Sequence, residues 1–273
     1  MLIPERFSKR VNAHLLGNVL QIAEYPLILT IFGRPGMGKT WQLRNHLEQI
    51  EFKVFSISSA DLESERAGEP AKLLRNQYVL ASGSITRGVP AAIVIDDIDT
   101  TAGEWEQNTG TVNHQEILAF LMHIADNPTF IESVGKTNRV PVFFTGNNFY
   151  RLYEPMRRPG RVLKFEWEPT REEKISIITS IFSFSDKRIS QALVDAYPTE
   201  SISFFSSLLA DESVNSLIDL ANNTSIKNIF TDSNYKQQVH NKYLECRRKM
   251  DWVKYANNLV NQSKSKGGVS NAI

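Results

Sequence analysis

The chain has 273 residues, an apolar fraction of 41%, a charged fraction of 22% and a formal net charge of +1. This composition is typical of a globular protein, and the near-neutral charge gives no general attraction to nucleic acid or to a membrane surface. The single cysteine, Cys246, excludes an internal disulfide, and no apolar run reaches the roughly 18 residues of a membrane span.

The first half of the chain alternates between strand-like and helix-like stretches. Almost continuously apolar runs, which are typical of parallel strands buried on both faces, occupy residues 26–33, 52–58, 91–97 and 140–147. A fifth run, 161–167, alternates more between apolar and polar residues. Helical patterns between the runs occupy residues 39–49, 70–82 and 112–125. This order predicts an α/β domain, in which helices cover both faces of a parallel sheet.

The pattern changes at residues 167–174, where Thr170 and Glu173 have the spacing of a capping box that opens a helix. Only helical patterns follow, over residues 171–182, 187–196, 201–210, 213–222 and 234–262. We therefore expect an α/β domain over 1–168, a small all-helical lid domain over 169–262 and a disordered tail over 263–273.

The clearest motif follows the first predicted strand. Residues 33–40 match the phosphate-loop pattern G-x-x-x-x-G-K-[ST] in full, with Gly33, Arg34, Pro35, Gly36, Met37, Gly38, Lys39 and Thr40. Glycines let successive backbone N–H groups turn toward a phosphate, and the following helix adds the positive end of its dipole. We expect Lys39 to contact the β- and γ-phosphates of ATP and the Thr40 hydroxyl to coordinate Mg²⁺.

Polar residues follow two later strands. Asp96 and Asp97 end the third strand, and Asn147 ends the fourth. We expect Asp96 to hold Mg²⁺ through water, Asp97 to orient or deprotonate the attacking water, and Asn147 to hold the same water. Because the side chain of Asp97 is shorter than the glutamate common at this position, the sequence predicts slow hydrolysis.

A basic turn follows these strands. Arg157, Arg158 and Arg161 flank a Pro-Gly turn, and fixed guanidinium groups suit charge that develops on a transferring γ-phosphate. If the phosphate of their own subunit is too distant, these arginines would act in the site of the next subunit, which predicts a ring. The alternative is a structural salt-bridge cluster.

These elements, in this order and with a helical appendage, resemble an AAA+ ATPase, and several stretches resemble Rubisco activase. The similar stretches are 4–20, 61–78, 112–129, 139–161, 164–174, 201–208 and 253–262. The resemblance implies a homo-oligomeric, hexameric ring that spends ATP to remodel inhibited Rubisco, so that tight-binding sugar phosphates leave. It puts Lys39, Thr40, Asp96, Asp97, Asn147, Arg158 and Arg161 at nucleotide-handling positions, and segment 61–69 near the central pore.

The chain departs from that family at two places. Leu209 and Asp211 stand where the family has two lid arginines, and residues 189–226 contain no Lys or Arg. The loop after the acid pair reads DTTAGEW in place of DAGAGR. These departures put the lid's link to the γ-phosphate, and the identity of the target, in doubt.

Three other functions stay open. The chain could remodel a different protein complex, or act as a nucleotide-gated scaffold with little turnover. A nucleic-acid-handling module has one supporting feature, which is nine basic against three acidic residues over 227–273; these could instead form a solvated face or dock an acidic partner. The N-terminus has neither a signal peptide nor a transit peptide pattern, so we expect a bacterial cytoplasm rather than a plastid stroma. The resemblance of residues 4–20 to the cyanobacterial form of the family implies a cyanobacterium.

Overall fold

The computed structural model describes residues 2–62, 68–101, 112–182, 187–222 and 224–249. They divide into two compact units. One unit spans Ile3–Glu168, and the other comprises Pro169–Ile273 with Met1–Leu2.

A five-stranded sheet forms the centre of the first unit. Its strands are β1 (Ile28–Phe32), β2 (Lys53–Ile57), β3 (Ala91–Ile95), β6 (Val142–Gly146) and β7 (Val162–Glu166), in the order β2-β3-β6-β1-β7. Every neighbouring pair is parallel, as predicted. A short antiparallel hairpin, which the sequence analysis missed, joins β4 (Phe130–Ile131) to β5 (Gly135–Lys136).

Burial of the strands follows their place in the sheet. Every residue of β1, β3 and β6, the three central strands, is buried. Strand β7 lies at an edge and is partly exposed, in line with its alternating sequence. The prediction of two buried faces was wrong for β2, because this strand forms the other edge, where Lys53 and Ser56 are exposed.

Helices flank the sheet. They are α1 (Glu5–Val19), α2 (Lys39–Gln49), α3 (Glu69–Thr86), α4 (Ile98–Thr101) and α5 (Val112–Asp126). The connection from β1 to β2 and the connection from β2 to β3 run in opposite directions across the sheet, so right-handed crossovers bring α2 and α3 to opposite faces. The helices predicted at 39–49, 70–82 and 112–125 are confirmed, with α3 longer at both ends.

The second unit is helical over its described residues. Its helices are α6 (Arg171–Phe182), α7 (Lys187–Ala196), α8 (Ile202–Ala221), α9 (Ile226–Thr231) and α10 (Ser233–Lys249). The predicted capping box opens α6: the Thr170 amide donates to Glu173 Oε2 (2.7 Å), and the Glu173 amide donates to Thr170 Oγ1 (3.2 Å).

Two helix predictions in this unit need correction. The helices expected at 201–210 and 213–222 are one continuous helix, α8, since no glycine or proline separates them. The helix expected over 234–262 forms α10 as far as Lys249, and its remainder lies outside the described residues, as does the tail 263–273. Among the helices that the structure describes, none has both the length and the apolar character to cross a membrane.

Candidate nucleotide site

Three neighbouring strands carry the predicted site residues to one edge of the sheet. The loop 33–40 follows β1, Asp96 and Asp97 follow β3, and Asn147 follows β6. The three strands are adjacent in the order β3-β6-β1, and parallel strands end at the same edge. The structure therefore brings together residues that lie more than a hundred positions apart in the chain.

The backbone of the phosphate loop depends on its glycines. Gly33, Gly36 and Gly38 have φ values of 149°, 74° and 77°, in a region that other residues rarely occupy. At Gly33 a Cβ atom would lie 2.3 Å from the carbonyl oxygen of Trp167, so no side chain fits there. Gly38 caps the N-terminus of α2 in the left-handed conformation, and that helix begins with Lys39.

Trp167 is hydrogen-bonded to the phosphate loop. Its indole Nε1–H donates to the Met37 carbonyl oxygen (2.9 Å), and both side chains are fully buried. Phe7 of α1 packs edge-on against the indole at 4.9 Å between ring centroids, and the Arg6 guanidinium lies over it at 4.7 Å. Trp167 was missed as a site residue, because nothing in a strand-end tryptophan indicates a loop that is 130 residues earlier in the chain.

Lys39 links the phosphate loop to β6. Its Nζ donates to the carbonyl oxygens of Gly33 (2.8 Å) and Arg34 (2.9 Å) and to Asn147 Oδ1 (3.1 Å). Burial lowers the pKa of Lys39, whereas the nearby carboxylates of Asp97 and Asp99 oppose this shift. The lysine that the motif assigns to phosphates thus lies beside the predicted water-holding Asn147. Arg34 and Pro35 are exposed at the rim of the loop.

A chain of oxygen atoms connects Thr40 to Asp96. Thr40 Oγ1 lies 3.0 Å from Thr145 Oγ1, which donates to Asp96 Oδ1 (2.9 Å). The Arg44 guanidinium, one turn after Thr40 on α2, binds Asp96 Oδ2. Hydroxyl and carboxylate oxygens are the donors that Mg²⁺ prefers, so Thr40 and Asp96 fit the predicted ion.

The described residues contain no group of three His, Cys, Asp or Glu side chains that could hold a metal ion. Thr145 and Arg44 were both missed by the sequence analysis. For Arg44 a signal existed, because a residue four positions after Thr40 lies on the same helical face.

Asp97 lies among other ionisable groups of the site. It has a φ of 51°, which is uncommon for a residue other than glycine. Burial raises the pKa of its carboxyl group, Asp96 and Asp99 raise it further, and Lys39 opposes them. A raised pKa makes the carboxylate a better proton acceptor near neutral pH.

Asp99 positions the loop that carries Asn147. Its Oδ2 accepts the backbone N–H groups of Asn147 and Asn148, each at 3.1 Å, and the residue is only 8% exposed. Gly146 lets it approach, because a Cβ atom there would lie 2.7 Å from Asp99 Oδ1. The sequence analysis singled out the first two acids of DDID and missed this third one, although the motif itself contained the signal.

The two arginines of the predicted catalytic set have different environments. Arg161 donates from Nε and Nη2 to both carboxylate oxygens of Asp126 (2.8 and 2.6 Å), and from Nη1 to the Pro155 carbonyl oxygen (2.9 Å). This is the salt-bridge arrangement that the sequence left open as an alternative. Arg158 is exposed, and no hydrogen bond or ion pair joins its guanidinium to the described residues. Neither side chain is held against the phosphate loop of its own subunit.

The family model described as "ATPase family associated with various cellular activities (AAA)" matches residues 29–169. The chain belongs to this AAA family. The match covers the phosphate loop, the acid pair, Asn147 and the basic turn, and the five-stranded parallel sheet agrees with it.

Curated relatives of this AAA protein include Rubisco activases from cyanobacteria and plants. The activase of Nostoc sp. is 42% identical over 218 residues, which are 76% of this chain and 52% of that protein. The chloroplastic activase of Spinacia oleracea is 40% identical over 219 residues, which are 76% of this chain and 46% of that protein. The resemblance to Rubisco activase is thereby confirmed, and the chain spans about half the length of these relatives.

Of the departures from the family pattern, the one at Leu209 lies in the described part of this AAA chain. Leu209 lies within α8 and packs against the apolar core of the helical unit, which includes Ile178 and Phe205. A partly buried leucine thus occupies one position where the family resemblance led us to expect a lid arginine. The loop residues 102–111 and most of the pore segment, 63–67, lie outside the described residues.

Proposed function

We propose that the chain hydrolyses ATP, with Mg²⁺, at the edge formed by β3, β6 and β1. The observation that carries this proposal is the convergence of Lys39, Asp97 and Asn147 at the phosphate loop. In this proposal Lys39 binds the β- and γ-phosphates, Asp97 accepts a proton from the attacking water, and Asn147 orients that water. Thr40 and Asp96 would hold Mg²⁺, which would neutralise phosphate charge.

The proposed target is Rubisco. The chain would assemble as a hexameric ring, act on inhibited Rubisco as a remodelling chaperone and release tight-binding sugar phosphates. Identities near 40% with Rubisco activases over three quarters of the chain support this target. Arg158, exposed on its turn, would act on the γ-phosphate of the neighbouring subunit. The cyanobacterial relatives support a cytoplasmic location in a cyanobacterium.

A second candidate keeps the motor and changes the target. Leu209 packs against the helical core where the family resemblance predicts an arginine, and this favours an AAA protein that remodels a different complex. This candidate shares the ATPase site, so only the target assay separates it from the first.

The deciding experiment is the reactivation of sugar-phosphate-inhibited Rubisco from the same organism. Reactions would contain ATP, a non-hydrolysable ATP analogue, or ATP with the Lys39→Ala variant, and phosphate release and carboxylation would be recorded in each. We expect recovery only with ATP and the unaltered chain, because the variant lacks the positive side chain at the phosphates. Lys9→Ala, which removes a lysine from the exposed face of α1, is the matched control and should behave as the unaltered chain.

Each other result has a definite meaning. Hydrolysis without recovery of carboxylation would contradict Rubisco as the target and support the second candidate. Nucleotide binding without hydrolysis would support a scaffold, and unchanged hydrolysis by Lys39→Ala would contradict the site itself.

A further inference from the structure

Asp96 has both of its carboxylate oxygens engaged by protein donors. Thr145 Oγ1 donates to Oδ1 (2.9 Å), and the Arg44 guanidinium binds Oδ2. The Asp96 side chain is 13% exposed, so its charge needs a nearby positive partner. The proposed Mg²⁺ ligand is therefore already neutralised by a positive charge of the chain itself.

Arg44 is able to leave this contact. Its side chain is 45% exposed, and it lies on the solvent side of α2, one turn beyond Thr40. A guanidinium on a long flexible stem exchanges a carboxylate for water at small net cost, because water solvates the exposed guanidinium well and the pair adds little net stability. The contact with Asp96 is thus a reversible one, unlike the buried bonds of Lys39.

From these contacts we propose that the Arg44 guanidinium competes with Mg²⁺ for the Asp96 carboxylate. This competition would set the free Mg²⁺ concentration that nucleotide binding requires. Mg²⁺ and the guanidinium both neutralise the same carboxylate, and their mutual repulsion disfavours binding side by side. When Arg44 holds Asp96, the carboxylate does not repel phosphates; when Mg²⁺ replaces it, Arg44 turns to solvent. Arg44 is a positioning residue in this scheme, and the inference rests on the proposed nucleotide site.

The test measures binding, not turnover. Fluorescence of N-methylanthraniloyl-ADP would be titrated against the full chain in EDTA and at increasing free Mg²⁺. Arg44→Met keeps the length of the stem and removes the charge, whereas Arg44→Lys keeps the charge. Arg87→Met is the matched control. Arg87 is an exposed arginine that precedes the first residue of β3, whereas Asp96 follows the last residue of that strand.

We expect Arg44→Met to lower the free Mg²⁺ at half-maximal binding by roughly two- to fivefold, the range that an exposed ion pair supports. In EDTA the same variant should bind the nucleotide more weakly, since Asp96 is then unneutralised. Arg44→Lys should stay near the unaltered chain, and Arg87→Met should leave the Mg²⁺ midpoint unchanged.

Three results would overturn the inference. A Mg²⁺ midpoint that is the same in Arg44→Met and the unaltered chain would show no competition. Equal weakening at every Mg²⁺ concentration would show that Arg44 binds phosphate instead, and an equal shift in Arg87→Met would show a general charge effect. If the unaltered chain bound no nucleotide under any condition, the proposed nucleotide site would itself fail, which is a distinct result.

Discussion

The carboxylates that follow β3 differ in what they do, although they lie within four residues of each other. Asp96 is bound by Arg44 and Thr145, Asp97 has a raised pKa, and Asp99 accepts two backbone N–H groups of the loop after β6. The motif identifies where acids are needed. Only the surroundings of each carboxylate distinguish the three, and proton transfer by Asp97 is part of the proposed mechanism.

The different roles of Asp97 and Asp99 predict different losses. Asp99→Asn replaces a carboxylate that accepts two backbone N–H groups by a neutral amide, which binds them less strongly. We therefore expect the free energy of unfolding to fall by about 1–3 kcal/mol and ATP hydrolysis to be slower. Asp97→Asn should abolish hydrolysis and leave stability nearly unchanged, because asparagine tolerates the positive φ at this position. Urea unfolding and phosphate release, measured on both variants, check this.

Two outcomes would contradict these separate roles of Asp97 and Asp99. If Asp99→Asn slowed hydrolysis without any loss of stability, Asp99 would act on the reaction directly rather than through the loop that carries Asn147. If both variants lost stability equally, the separation of roles would be wrong.

At the scale of elements, α1 is attached to the sheet through a buried histidine. His14 is fully buried, its Nε2–H donates to the Val142 carbonyl oxygen (3.2 Å), and its ring packs edge-on against Phe143 at 4.9 Å between centroids. Burial, together with the smaller effect of the Arg10 and Arg139 charges, lowers the pKa of His14 to about 3. A neutral histidine is therefore part of the packing of α1.

This histidine predicts acid sensitivity. Between the ordinary histidine pKa of about 6.5 and the folded value of about 3, the unfolded chain binds a proton that the folded chain does not. Stability should therefore fall as pH falls through this window, by up to about 1.4 kcal/mol per pH unit for one group. Urea unfolding at several pH values gives the slope.

His14→Gln isolates the contribution of this group. The variant is neutral at every pH, so its stability should fall less steeply below pH 6.5 than that of the unaltered chain, whatever its stability at neutral pH. Burial also lowers the pKa of His46, so part of the slope should remain. An identical slope in both proteins would contradict a neutral His14.

Strongly patterned elements could be predicted from the sequence, and elements defined by tertiary contacts could not. The bounds of α2 were correct, since a glycine loop fixes its start. The edge position of β2 depends on neighbours that the local pattern does not report. The continuity of α8 had a local signal, since no glycine or proline interrupts it. Helix α1 had a signal, the i, i+4 spacing of Phe7, Val11 and Leu15, but exposed apolar residues such as Leu16 and Leu20 obscured it.

The same division holds for the site. The phosphate loop, the acid pair and Asn147 could be predicted, because each is a short motif at a strand end. Trp167 and Thr145 could not be assigned, since their roles depend on contacts between elements far apart in sequence. Arg44 had a signal, because it lies one turn after Thr40 on the same helical face. For Arg161 the motif predicted a catalytic role, whereas the structure shows an ion pair with Asp126.

At the scale of the whole molecule, the basic turn bears on the proposed ring. Arg161 holds the turn through Asp126 and Pro155, and Arg158 extends from it with no partner in the described parts of the chain. Because Arg161 fixes the turn and Arg158 is exposed on it, the turn is suited to presenting Arg158 to another subunit. The proposed ring supplies that subunit, and each active site would then be assembled from two chains.

Mixing variants tests whether Arg158 acts between subunits. Arg158→Ala should bind nucleotide and hydrolyse little ATP, and so should Asp97→Asn. In an equal mixture with subunit exchange, about a quarter of the interfaces would join an intact Asp97 to an intact Arg158, so about a quarter of the normal activity should return. Arg158→Ala mixed with the double variant Asp97→Asn/Arg158→Ala is the matched control, because no intact Arg158 is then present. Recovery in the first mixture alone supports action in trans, whereas no recovery in either would contradict it.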